Sequence, residues 1–236
     1  MVHVSIANPA TKFVKLAIAG DRGGMHEHEH AADDQQAPHG EHDWDERYRS
    51  RPEIWSGNPN PVLVTEASGL PPGSALDAGA GEGADAFWLA ERGWQVTAAD
   101  ISGVALERAA KRAGERGLVI TWLRADLATT PAPATYDLVA THYLHVPKAE
   151  QPGLFRHLAA AVAPGGTLLV VGHDISDMTK LPRPDLVKYG WTADEVAATL
   201  GAGWTIEVAE ARPRQAARPE GDHVTINDAV LRARRD

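Results

Sequence analysis

Three glycines at alternate positions, Gly79, Gly81 and Gly83, follow an apolar run that ends in Asp77. Glycine leaves the main chain bare and tolerates left-handed geometry, so this spacing predicts a tight strand-to-helix turn that a ligand can approach closely. The first amides of the helix would face that ligand. A second acid, Asp100, ends the next apolar run. Glycines beneath a polar tail and a carboxylate for ribose hydroxyls predict a site for a nucleotide-like cofactor.

Two cofactor classes compete for this pattern. The glycines, with Ala84, also fit the fingerprint of nicotinamide dinucleotides, with Asp100 at the expected distance. Three features favour another cofactor. Asp77 places a carboxylate where dinucleotide-binding strands are apolar, and it could meet an ammonium group. Asp126 follows a predicted strand, at the edge where the carboxyl ends of parallel strands line a ligand crevice. A Pro-Gly-Gly turn at 164–166 directly precedes another apolar run.

Together these segments resemble the class I S-adenosylmethionine-dependent methyltransferases. The resemblance covers about residues 70–173, and its motifs are LDAGAGEG at 76–83, ADI at 99–101, ADL at 125–127, YDLV at 136–139 and PGGTL at 164–168. Further segments resemble more narrowly the tellurite-resistance and thiopurine methyltransferase branch, which acts on small molecules. They are Trp44 with Tyr48, WSGNPNP at 55–61 and the GEGADAFWLA helix at 81–90.

The resemblance implies S-adenosylmethionine as the cofactor, with a role for each matching position. The methionine part would rest on a cradle of backbone groups from Gly79, Ala80, Gly81 and Gly83. Asp77 would lie near the amino group of the methionine, and Thr141 would offer it a backbone carbonyl. The adenosine part would contact Asp100 through both ribose hydroxyls and Ile101 through the adenine face. Asp126 would receive the adenine amino group, and the Leu127 amide would reach a ring nitrogen.

Histidines follow two of the predicted strands. His142 and His145 come after strand 136–141, and His173 comes after strand 167–171. Methyl transfer is an in-line displacement in which alignment of the nucleophile supplies much of the acceleration. Alcohol or amine acceptors also benefit from a base that titrates near neutrality, usually histidine. We expect His145 and His142 as candidate catalytic residues and His173 as an acceptor contact. A divalent metal site and a plain polar loop stay open as other roles, and no metal is assigned.

A lid is expected ahead of the glycine-rich segment. In enzymes of the resembled family the N-terminal region folds over the cofactor, and Tyr48, Trp55 and Asn60 are the matching candidates here. The segment 175–191 is a second candidate wall, because connections of this length are often functional.

Composition sets broader limits on the 236-residue chain, which is 43% hydrophobic and 23% charged. It predicts one soluble domain with an extension, and no apolar run approaches the roughly 18 residues of a membrane span. The absence of cysteine excludes disulfides and thiolate sites. A net charge of −9 argues against nucleic acid as the main partner. We therefore expect a cytoplasmic monomer or homodimer, without a membrane or nucleic-acid partner, that acts on a small-molecule methyl acceptor.

The order of elements predicts an α/β fold with a doubly wound, mostly parallel seven-stranded sheet, Rossmann-like, with an antiparallel edge strand. Residues 1–43 are expected to form a flexible tail rich in histidine and acids, in which Met25 offers an alternative start and weak metal binding stays open. Residues 44–236 are expected to form the catalytic domain. It divides into lid helices at 44–70, a cofactor-binding core at 71–173 and an acceptor-side loop with an edge hairpin at 174–236.

Two other functions remain as alternatives at this point. An NAD(P)-binding oxidoreductase would share the glycine pattern, but Asp77 and the lack of a Tyr-x-x-x-Lys pair disfavour it. A non-catalytic S-adenosylmethionine-binding protein would keep the cofactor residues without turnover.

Overall fold

The computed structural model describes residues 4–8, 11–15, 40–176, 188–217 and 223–236. No helix within these ranges combines the length and hydropathy needed to cross a membrane. In chain order, the elements of the described residues are β1 (Val4–Asn8), β2 (Thr11–Lys15), α1 (Glu41–Ser50), α2 (Pro61–Ala67), β3 (Ser74–Ala78), α3 (Ala84–Ala90), β4 (Gln95–Asp100), α4 (Gly103–Glu115), β5 (Thr121–Arg124), β6 (Tyr136–His142), α5 (Gln151–Ala160), β7 (Val162–His173), α6 (Ala193–Ala197), β8 (Trp204–Ala217) and β9 (His223–Arg235).

The described strands form one sheet in the order β1-β2-β5-β4-β3-β6-β7-β9-β8. Strands β2 to β7 of this order run parallel to one another, whereas β9 is antiparallel to both β7 and β8. After β1 and β2, the chain enters the middle of the sheet at β3, proceeds to β5 and then returns to β6, so the strand order reverses between β3 and β6. Ligands of open α/β sheets bind at such a switch point. The α/β fold and the antiparallel pair at the edge are confirmed.

The hairpin of β1 and β2 adds two strands to the expected seven, at the sheet edge opposite β8. β2 pairs in parallel with β5, with Phe13 in register with Trp122. The predicted tail at 1–43 is therefore wrong for 4–8 and 11–15, and also for the start of α1 at Glu41. Both segments carry β-branched residues, which favour strands, and β5 would otherwise be an unpaired edge. Met25 and most of the His-rich stretch lie outside the described residues.

Apolar clusters cover both faces of the central parallel strands β3 to β7, as expected for near-continuous apolar strands. Along β6, Leu138 and Ala140 belong to one apolar cluster and Val139 to the other. Helices α2, α3 and α4 contribute to the first cluster, and α5 and α6 contribute to the second. The carboxyl ends of the parallel strands consequently open at one edge between two helical layers.

Gly83, the residue before α3, allows a direct test of this packing. Its φ is 87°, and an added Cβ would lie 2.9 Å from the Phe87 ring and 3.0 Å from Ala109. Gly117 is also left-handed, at φ 69°, but an added Cβ there meets nothing within 4 Å. Gly117→Ala should cost about 1–2 kcal/mol of unfolding free energy through backbone strain alone. Gly83→Ala should cost roughly 1–3 kcal/mol more, because it also overpacks the core. Urea unfolding measures both, and equal losses would show that α3 moves away without penalty.

Candidate active site

A cavity of about 280 Å³ opens at the carboxyl ends of β3 to β6. Predicted cofactor residues form much of its wall, namely Gly79, Asp100, Ile101, Asp126 and Leu127. Trp44 and His145 complete the wall from α1 and from the loop after β6. A more open hollow of about 370 Å³ lies beside Trp204 and contains no predicted site residue. The cavity at the switch point is therefore the candidate binding site.

The glycine-rich loop forms the floor of this site. The amides of Gly79 and Ala80 both donate to the Ala99 carbonyl, at 2.8 and 2.9 Å, which fastens the loop to β4. A Cβ on Gly79 would lie 2.9 Å from Leu144, and one on Gly81 would lie 2.9 Å from the Tyr48 hydroxyl. Both glycines also have positive φ. The loop therefore requires glycine for backbone geometry and for close approach.

Asp100 and Asp126 face the cavity from the ends of β4 and β5. Asp100 accepts hydrogen bonds from the amides of Gly81 and Ser102, each at 2.8 Å. Burial raises the pKa of Asp100 to about 6, although these amides oppose the shift. Asp126 accepts from the Ala128 amide and the Thr129 hydroxyl, each at 3.0 Å. Because a carboxylate offers about four lone-pair sites, both acids keep acceptor capacity for a ligand.

A tight polar cluster lies beside this floor, where α3 meets β3 and β6. Asp77 is 2% exposed, and its Oδ2 has no hydrogen-bond partner within the described residues. Burial, followed by the charges of Asp85 and Asp100, raises the pKa of Asp77 well above its usual value. His142 Nδ1 lies 2.8 Å from Asp85 Oδ2. Burial opposes ionisation of Asp85, but the charge and hydrogen bond of His142 and the Asn60 amide together outweigh it and lower the pKa of Asp85.

The cluster has room for a cation. One ligand atom from each of Asp77, Asp85 and His142 lies within 4.8 Å of the others. Carboxylate and imidazole suit a divalent metal ion, and two carboxylates equally suit an ammonium group. His142 thus lies beside Asp77 and Asp85. The position of His142 in the sequence did not reveal this pairing.

The expected lid residues meet the glycine-rich loop. Trp55 Nε1 donates to the Tyr48 hydroxyl at 3.0 Å, directly above Gly81. Asn60 donates its backbone amide to Asp85 at 2.6 Å. Burial, then the charge of Asp100, raises the pKa of Tyr48, which therefore stays a neutral phenol.

Two acids that sequence reasoning missed fasten this lid. Glu82 accepts from the amides of Ile54 and Trp55, at 3.1 and 3.3 Å. Asp45 accepts from the Ser102 hydroxyl at 2.6 Å, which joins α1 to the start of α4. Both acids are buried. The available sequence signals for these contacts were the position of Glu82 within the glycine-rich segment and the position of Asp45 two residues after Asp43.

The other two histidines lie together on the far side of the cavity. The His145 ring stacks on Trp44 at 6.3 Å and on His173 at 5.6 Å, and it approaches Tyr189 at 5.4 Å. His173 also lies 4.8 Å from the Tyr143 ring, measured between centroids. The structure brings His145 and His173 together, whereas His142 turns towards Asp85. Thr141 donates its hydroxyl to the Ala78 carbonyl at 2.8 Å. Of the predicted second wall, 177–187 lie outside the described residues.

Sequence comparison connects this site to methyl transfer. The profile of a methyltransferase domain matches residues 75–166. The 2-heptyl-1-hydroxyquinolin-4(1H)-one methyltransferase of Mycobacteroides abscessus is 30% identical over 167 residues, which cover 64% of this chain and 74% of the relative. An uncharacterised methyltransferase of Mycobacterium tuberculosis is 42% identical over 98 residues, 41% of this chain and 48% of that protein.

Solved structures are similar over a larger share of the chain. A protein studied for the conversion of a disulfide bond into a thioacetal group in echinomycin biosynthesis is 26% identical, with a TM-score of 0.66 over 82% of this chain and 90% of its own. TehB of Haemophilus influenzae is 16% identical, with a TM-score of 0.66 over 82% and 67%. Magnesium protoporphyrin IX methyltransferase of Synechocystis PCC 6803, solved with bound S-adenosylhomocysteine, is 22% identical, with a TM-score of 0.54 over 74% and 79%. The last two share the fold.

Ligand affinity at this site should depend on pH. Asp100, with a pKa of about 6, and Asp77, with a raised pKa, must both lose a proton to accept donors from a ligand. Protonation therefore competes with binding, and affinity falls as pH falls through these values. The dissociation constant of S-adenosylhomocysteine should rise about tenfold or more between about pH 7 and about pH 5. Tryptophan fluorescence titration measures it, and Asp100→Asn should flatten the slope. An equal slope in that variant would assign the dependence to other groups.

Proposed function

The chain belongs to the class I S-adenosylmethionine-dependent methyltransferases, and we propose that it methylates a small-molecule aromatic hydroxyl by in-line displacement. Of the two cofactor classes that fit the glycine pattern, S-adenosylmethionine is the cofactor of this family, and a nicotinamide dinucleotide is not. When bound, S-adenosylmethionine supplies an electrophilic methyl group on a sulfonium centre. The observation that carries the proposed acceptor is a group of aromatic and imidazole rings around His145. Trp44 and His145 line the cavity, and Tyr143, His173 and Tyr189 complete the group.

The residues of the cavity floor fit the methionine half of the cofactor. Asp77 has a buried carboxyl oxygen to which no described residue donates, and an ammonium group would be a suitable donor for this oxygen. The Thr141 carbonyl would be a second acceptor for the same group. Backbone groups of Gly79, Ala80, Gly81 and Gly83 would border the methionine chain, since any Cβ on Gly79 or Gly81 would narrow this space.

The remaining cavity residues fit the adenosine half. Asp100 would accept the ribose hydroxyls in addition to its two backbone amides. Asp126 would accept the adenine amino group, and the Leu127 amide would donate to a ring nitrogen. Ile101 would pack against the adenine face. In this arrangement Leu144 and His145, which line the same cavity, border the cofactor on the side of the acceptor.

The acceptor side suits a flat ring. Stacked and tilted aromatic pairs with centroid distances of about 4.5–7 Å are favourable, and a planar acceptor gains the same contacts. The relative from Mycobacteroides abscessus is named for an aromatic N-hydroxy compound, which supports an acidic hydroxyl on a ring as the nucleophile. His145 would contact the acceptor ring between Trp44 and His173. His142, which is paired with Asp85, would border the methionine end.

Replacement of Asp77 should weaken binding of the methionine half of the cofactor and leave binding of the adenosine half unchanged. Asp77→Asn resembles the protonated carboxyl favoured by burial, so the variant should fold. It should weaken binding of S-adenosylhomocysteine about tenfold, because a charged hydrogen bond to the ammonium is lost. Binding of 5′-methylthioadenosine, which has no ammonium, should not change. Asp100→Asn is the matched control and should weaken both ligands. Calorimetry measures the four affinities, and equal weakening of both ligands by Asp77→Asn would contradict the ammonium contact.

An acceptor assay tests the proposed substrate class. With S-adenosylmethionine, 1-hydroxyquinolin-4(1H)-one and simple phenols should yield S-adenosylhomocysteine at least about tenfold faster than aliphatic alcohols or amines of similar size. The physical reason is ring stacking combined with an acidic hydroxyl. Chromatography of S-adenosylhomocysteine and of the methylated product measures the rates. Turnover restricted to thiols, tellurite or amines would overturn the aromatic hydroxyl proposal.

A further inference from the structure

A buried carboxylate on β9 collects polar groups on the acceptor side. Asp228 is 3% exposed. Its Oδ2 accepts from the Tyr143 hydroxyl and from Arg214 Nε, both at 2.7 Å. Its Oδ1 makes no hydrogen bond within the described residues and lies 3.9 Å from His173 Nδ1. We call these four residues, Tyr143, His173, Arg214 and Asp228, the Asp228 cluster. One oxygen of this carboxylate is saturated, and the other faces an imidazole.

The backbone at Tyr143 is strained where it joins this cluster. Its φ is 52°, and Tyr143 is the one residue other than glycine with a positive φ in the described ranges. Such a conformation costs on the order of 1–3 kcal/mol and persists where surrounding structure enforces it, often at functional sites. The Tyr143 amide donates to the Val171 carbonyl at 2.9 Å, and the hydroxyl is held by Asp228. The strain places the Tyr143 ring against His173.

On the basis of the proposed methylation of an aromatic hydroxyl, we infer that His173 accepts the hydroxyl proton and that Asp228 positions the resulting imidazolium. The O–H bond breaks, and an oxygen electron pair forms the new bond to the methyl carbon. The carbon–sulfur bond breaks, and its electron pair stays on sulfur, which becomes neutral. The proton passes to Nε2 of His173 while Nδ1 faces Asp228, and it later leaves to solvent. Atoms and charge balance without a further reactant.

The surroundings of His173 suit this role. Asp228 on β9 faces it, with Arg214 of β8 behind that carboxylate. Tyr143 and His145 lie against its ring, and Asp174 follows it in the chain. Burial, then the charge of Asp228, raises the pKa of Tyr143, so this phenol remains a neutral hydrogen-bond donor to Asp228. His142 also faces a carboxylate, but that pair lies beside Asp77 at the methionine end.

The probe for this inference is 4-nitrophenol, whose phenolate absorbs visible light. It is added to protein saturated with S-adenosylhomocysteine, so that no methyl group can transfer and only proton transfer is observed. At a pH just below the pKa of free 4-nitrophenol, binding to the wild type should raise the phenolate absorbance. His173→Gln should abolish the rise, and Asp228→Asn should reduce it about tenfold, because a nearby charge that favours the imidazolium is lost.

Two further variants keep the test interpretable. Glu66→Gln removes another buried carboxylate, which binds Arg212 and Arg232 of the same hairpin at 2.8 Å each but lies outside the cluster. It should retain the wild-type signal. Tyr143→Phe keeps the ring on His173 and should give a phenolate signal between those of the wild type and Asp228→Asn. This variant tests the Asp228 cluster if Asp228→Asn does not fold.

The results separate this inference from the proposed function. A wild type without phenolate signal, or a full signal in His173→Gln, would overturn the role of His173. The same probe with S-adenosylmethionine reports 4-nitroanisole formation. If the anisole forms equally in His173→Gln, the inference fails and the aromatic hydroxyl proposal stands. If His173-dependent phenolate forms in the wild type without any anisole, proton acceptance stands and the proposed acceptor class fails.

Discussion

Burial of several neighbouring carboxylates, together with the repulsion between them, sets the electrostatics of the carboxyl edge of the sheet. Burial and the charges of Asp85 and Asp100 raise the pKa of Asp77, and burial raises the pKa of Asp100 to about 6. Backbone amides hold Asp100 and His142 holds Asp85, whereas Asp77 Oδ2 has no hydrogen-bond partner among the described residues. A cationic ligand relieves this repulsion. The preference for a cofactor that carries an ammonium group therefore follows from the charge arrangement, beyond what the glycine spacing alone implies.

Three carboxylates near this edge hold the predicted lid in place. Glu82 binds the amides of the loop before α2, Asp85 binds the Asn60 amide, and Asp45 binds Ser102 at the start of α4. Each of these three carboxylates thus joins two segments that are distant in sequence. Because Tyr48 lies directly above Gly81, displacement of the lid would uncover the backbone that is proposed to border the methionine part. The lid and the cofactor loop therefore behave as one structural unit.

The sequence predicted features that depend on local pattern and not those that depend on remote partners. The strand predicted at 136–141 ends one residue before β6 does, and the strand predicted at 167–171 lies within β7. The β1–β2 hairpin was missed because its polar, mixed composition resembles a tail until β5 supplies a partner edge. The Tyr143–Asp228 bond was also missed, since it joins residues 85 positions apart. No local spacing marks such a pair.

The antiparallel strand β9 explains why Asp228, an acid so late in the chain, reaches the proposed acceptor side. In a wholly parallel sheet, residues at the start of a strand lie at the edge opposite the ligand crevice. β9 runs in the opposite direction, so its first half lies beside the carboxyl end of β7, and Asp228 is in register with His173. β8 pairs with β9 and brings Arg214 to the same edge, opposite Ile226. The reversed strand β9 therefore brings Asp228, and through its partner β8 also Arg214, to the carboxyl edge of the sheet. The cofactor half of the sheet is unchanged by this addition. Acceptor chemistry can then vary in the hairpin while the cofactor residues at β3, β4 and β5 stay the same.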